Sequence, residues 1–115
     1  MQQTIEIGGK ERPINFSFNA IAQLEKLEGK PMTKIFSQMD DLSMTTSIHI
    51  AYVGLVDGAR KAKKNFKTSL ETVGDWLDDL GFDGVGEIIE LFTESLTDAK
   101  GGVKAEGETL NEKKP

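Results

Sequence analysis

At 115 residues, with no cysteine, 37% hydrophobic residues and a formal net charge of -5, the chain is sized for one domain built on a single core. The absence of cysteine excludes disulfides and thiolate metal sites. The acidic balance argues against nucleic-acid binding as the main role, because phosphate neutralisation needs a basic face. The opening MQQTIEIGGKERP lacks the apolar core of a signal peptide, and no apolar run reaches bilayer length. A soluble intracellular protein without a membrane partner is the expectation.

Thr4 to Ile7 and Ile14 to Phe18 alternate polar and apolar residues around Gly8-Gly9-Lys10-Glu11, which predicts a β-hairpin. A four-residue loop would set Ile5 opposite Ile14, with Ile7 and Phe16 on the same face. Pro13 cannot donate to a ladder and marks an edge strand. Asn19 is placed to cap a helix from Ala20 to Glu28 that turns Ile21, Leu24 and Leu27 inward and ends at Gly29. Pro31 suits the first position of a short helix carrying Met32, Ile35, Phe36 and Met39.

The central element runs from Ser43, its expected cap, to Lys64. Met44, Ile48, Ala51, Tyr52, Leu55, Val56 and Ala59 recur at helical spacing, and Ile50 and Val53 add apolar surface beside them. Ala51, Gly54 and Gly58 form a second line of small residues. Glycine inside a helix costs about 1 kcal/mol relative to alanine, so the pair implies the close approach of another backbone. Arg60, Lys61, Lys63, Lys64 and Lys67 follow, where cations complement the helix dipole. Thr68 and Glu71 are spaced as a capping box for a helix with Leu70, Val73, Trp76, Leu77 and Leu80 in its stripe, stopped by Gly81. Asp83 would cap a last helix presenting Val85, Ile88, Ile89, Phe92 and Leu96. The predicted fold is α+β and mainly α: a short N-terminal hairpin followed by about five helices around the central one. Residues 1–97 form the domain, and 98–115, rich in charge and glycine, a disordered polar tail.

Chemistry is harder to find. His49 is the only histidine, and no cysteine or second histidine completes a ligand set. Glu87, Glu90 and Glu94 have the spacing of a solvated helix face, and no carboxylate pair has the apolar surroundings that would split their pKa values. Gly8-Gly9 and Gly84-Val85-Gly86 match no phosphate-binding fingerprint. Neither a catalytic group, a metal site nor a cofactor is expected. The basic run with Phe66 is the one feature suited to nucleic acid, though an acidic protein suits it better. Met32, Met39 and Met44 surround the second helix, and methionine suits surfaces that accept several partner shapes.

The hairpin TIEIGGKERPINFSF, the segment FNAIAQLEKLEGKPM, the helix SIHIAYVGLVDGARK and the stretch SLETVGDWLDDLGFDGVGEIIELFTESL together resemble the tail assembly chaperones of long-tailed (siphovirus-type) bacteriophages and prophages, from Thr4 to Leu96. The resemblance implies a non-enzymatic protein of the host cytoplasm that binds the tape measure protein, keeps it soluble, helps recruit tail tube protein and is absent from the mature virion. Such chaperones are often made in two lengths by a frameshift, and Lys113-Lys114 stands where a slippery codon pair would encode two lysines. A client helix laid into an apolar groove is the implied binding mode, with Met39, Met44, Trp76, Phe92 and Leu96 as candidate partner-binding residues. Two other readings remain: a structural tail or head-tail connector protein retained in the virion, and a small phage-encoded regulator. The open hairpin edges would favour a homo-oligomer under each of them.

Overall fold

The computed structural model describes residues 3–98. Strands β1 (Gln3–Ile7) and β2 (Lys10–Ile14) form an antiparallel hairpin, followed by α1 (Phe18–Glu28), α2 (Met32–Ser37), α3 (Met44–Lys61) and α4 (Leu70–Asp98). A 3-10 turn at Met39–Asp41 joins α2 to α3. The α+β, mainly helical class agrees with the sequence reading, but the described residues hold four helices, not about five. The polar tail expected beyond this point lies outside the described residues.

The missing helix boundary is at Gly81. A stop and a fresh start were expected there, with Asp83 as the new cap; the backbone does leave helical geometry at Gly81 (φ 79°, ψ 177°), but the second arm follows with no intervening loop, so the two arms count as one kinked element, α4. Glycine alone adopts that region at low cost. Other punctuation moves by a residue or two. Ser17, rather than Asn19, caps α1, its hydroxyl accepting from the Asn19 N–H at 3.2 Å, so the helix opens at Phe18. Ser69, rather than Thr68, caps α4, accepting from the Thr72 N–H at 3.1 Å. Pro31 is the residue before α2, and the freed Met32 N–H donates to the Glu25 carboxylate at 2.7 Å. Ser43 caps α3 as expected, accepting from the Thr46 N–H at 3.1 Å.

The hairpin turns on two residues. Gly8 and Gly9 both have positive φ, 65° and 83°, as a primed turn requires. The register therefore pairs Ile5 with Arg12 and Gln3 with Ile14, displaced by two residues from the Ile5–Ile14 pairing expected of a four-residue loop. A displacement of two keeps every side chain on its face. Ile5, Ile7 and Ile14 are accordingly all buried. The second strand ends at Ile14, earlier than the alternation implied. Phe16 lies beyond it, buried, with its ring edge-on to Phe92 at 5.2 Å between centroids.

α3 is the central element, packed by α1, α4 and the hairpin. Its most buried positions, Ile50, Ala51, Val53, Gly54, Leu55, Asp57, Gly58 and Ala59, keep Ala51, Leu55 and Ala59 of the expected stripe but turn toward the small-residue line. Met44 is exposed, and Ile48, Tyr52 and Val56 are half-buried. The rotation has a simple cause: the glycines admit the hairpin strand, and what touches a second layer is what becomes buried. A methyl group at Gly58 would stand on the Pro13 carbonyl, and one at Gly54 would lie 2.5 Å from the Phe16 ring. The Asn15 N–H donates to the Gly54 carbonyl at 3.0 Å, holding the approach.

Gly58→Ala is expected to lower unfolding stability by about 2 kcal/mol in urea titrations, because the obstructing atoms are backbone and cannot rotate away. Gly86→Ala, on a helical position with nothing within 4 Å of the new methyl, should instead raise stability by about 0.5–1 kcal/mol.

Candidate functional site

The first half of α3 and the two arms of α4 enclose an open apolar groove of about 330 Å³, lined mainly by Met44, Ile48, Leu77, Phe82 and Val85 with Asp78 among them. Its shape follows from two glycines. Gly74 has no side chain, so Ile48 approaches closely, its Cδ1 standing 3.3 Å from where a methyl would be. Gly81 breaks the phase of α4, so Phe82 falls outside the inward stripe. Phe82 is 82% exposed and Met44 46%, whereas Leu77 and Val85 are buried and form the floor. Large exposed apolar side chains over an apolar floor are the usual mark of a surface that receives a partner.

The five residues singled out from sequence do not converge there. Met44 lines the groove. Met39 is half-buried in the 3-10 turn. Trp76 is half-buried at the hairpin: the Arg12 guanidinium sits 4.3 Å from its ring centroid, Phe66 meets it edge-on at 6.2 Å, and Gly8 packs on its face so closely that a methyl would collide. Phe92 and Leu96 are 0% and 1% exposed and belong to the core. Phe82 went unnoticed in the sequence. Its signal was present, an aromatic next to the glycine at which the Leu70–Leu80 stripe ends.

Polar clusters elsewhere are tied up in holding elements together. Asp57 is almost fully buried on α3 and accepts from Asn15 Nδ2 at 2.7 Å, from the Ser17 N–H at 3.1 Å, and from Arg60 Nη2 and Nε at 2.7 and 3.1 Å. Burial alone would raise its pKa. Hydrogen bonds from the Ser17 hydroxyl, Arg60, Asn15 and the Ser17 N–H outweigh burial and hold the carboxyl below its ordinary value of 3.8. Glu28 at the end of α1 lies 2.6 Å from His49 Nδ1 and accepts from the Thr46 hydroxyl at 3.0 Å, which anchors α1 to the first turns of α3. Arg60 of the basic run is thus committed to Asp57. Among the described residues no group of His, Cys, Asp or Glu is placed to hold a metal ion, and no helix is long and apolar enough to cross a membrane. Comparison with protein-family models, curated proteins and solved structures finds no match for this chain.

Because the Asp57 pKa is lower in the folded chain than in the unfolded one, its contribution is present above pH 3.8 and lost as pH falls through the folded value. Asp57→Asn should therefore be about 2 kcal/mol less stable than the parent at pH 7, with the gap shrinking below pH 4. Thermal melts across that range measure both.

Proposed function

We propose that the chain is a tail assembly chaperone of the long-tailed phage type, a binding protein that holds amphipathic segments of the tape measure protein in the α3–α4 groove. The observation that carries this reading is the groove itself, an apolar floor with Phe82 and Met44 standing exposed at its rim. A helix offering residues at three- and four-residue steps would bury those two side chains together with the floor. Methionine adapts to different client side chains, and a large aromatic supplies most of the contact area. The floor rests on two packed helices, so little order needs to be gained on binding. In this reading the chaperone acts in the host cytoplasm, helps bring tail tube protein to the shielded client, and leaves before the particle is complete.

Co-expression with the tape measure protein is the test. The client should appear in the soluble fraction with the parent chain and be lost with Phe82→Ser, a change at an exposed site that leaves the fold intact by circular dichroism. A loss of about 2 kcal/mol in affinity is expected for this truncation. A client equally insoluble with and without the parent chain overturns the proposal. So does the protein's presence in purified virions at tail stoichiometry, which would favour the connector reading.

A further inference from the structure

The margin of the groove carries a charge pattern that its apolar lining does not require. No lysine or arginine occurs from Ile35 to Ala59 or from Thr68 to Asp98. Both walls come from these stretches without lysine or arginine, Met44 and Ile48 from the first and Leu77, Phe82 and Val85 from the second. Asp78 lines the groove directly. Glu71 and Asp75 precede it on the exposed side of α4 at steps of four and three residues, and Asp79 follows, also exposed. Side chains at those steps are neighbours on a helix surface, and like charges there repel. Among the described residues the ion pairs are Lys30–Glu28 and Arg60–Asp57, with His49 also set against Glu28, and none of the α4 carboxylates has a cationic partner among those residues. Arg60 and Lys61 close the far end of α3, roughly 24 Å along the axis from Met44.

We propose that the groove selects amphipathic helices whose apolar stripe is edged by lysine or arginine. The stripe enters between Met44 and Phe82, and the flanking cations pair with Asp78 and with Glu71 and Asp75 along the outer margin. A helix edged by glutamate would meet the same row of carboxylates and be repelled. The inference rests on the groove being a helix-binding surface and adds which helices it accepts.

Three labelled peptides of about 20 residues distinguish the two levels by fluorescence anisotropy against the full chain. Two share one Leu/Phe stripe and differ in carrying lysine or glutamate at the flanking positions. The third has the composition of the lysine peptide with its stripe scrambled. The lysine stripe peptide should bind about tenfold tighter than the glutamate one at low ionic strength, the sum of a few exposed ion pairs. The difference should largely vanish near 1 M salt, where the Debye length is about 3 Å. Asp78→Asn should narrow the gap, and Phe82→Ser should weaken both stripe peptides. Equal binding of the two stripe peptides overturns the charge selectivity and leaves helix binding standing. Binding of neither overturns helix binding itself. A scrambled peptide that binds as well as the lysine stripe peptide shows simple charge attraction and overturns the assignment to the groove.

Discussion

The fold depends on how closely the segment Pro13–Ser17 can approach α3. Gly54 and Gly58 remove the side chains that would hold that segment away, and Asp57 between them supplies the acceptor for the polar groups it brings in. Apolar packing alone could not close this contact, because the Asn15 amide and the Ser17 N–H would enter it without partners. The buried carboxylate is in turn tolerable only because those donors and Arg60 surround it. Once the segment is seated, Phe16 reaches Phe92 on α4, and Ser17 begins α1. One contact thereby joins the hairpin and three helices.

The groove is a by-product of the same arrangement at the other end of α3. The later arm of α4 is committed to the core through Val85, Ile88, Phe92 and Leu96. Its first arm crosses near Ile48, where Gly74 permits close packing. Two such arms cannot follow one straight axis, and Gly81 absorbs the change of direction. Phe82, immediately after the bend, is left facing outward. The exposed apolar surface and the tight core are thus two sides of one backbone feature.

Periodicity and punctuation in the sequence carried most of the architecture. Ser43 and Gly29 bound their helices as read, and the hairpin exists on the face expected. Three things escaped for physical reasons. A kink and a stop look alike at Gly81, because both need the same backbone freedom. The two-residue turn at Gly8-Gly9 competes with a four-residue loop that keeps the same face pattern, so alternation cannot choose between them. Asp57 has its meaning from Asn15 and Ser17, about 40 residues away, and no local pattern announces it. The candidate site was harder still. Aromatic and methionine residues were visible, but whether each faces the core or the solvent depends on helix phase. Phe92 and Leu96 fall one way and Phe82 the other only after the bend.

Trp76, set against the hairpin turn, has a practical corollary. It is the only tryptophan in the chain, pressed between Gly8, Arg12 and Phe66 and absent from the groove wall. Its intrinsic emission therefore reads the seating of the β-ribbon on the helices and is blind, to first order, to whatever occupies the cleft. A spectral change on adding a ligand would mean that occupancy had been felt across the width of α4, from Leu77 in the groove floor to its neighbour Trp76 at the hairpin.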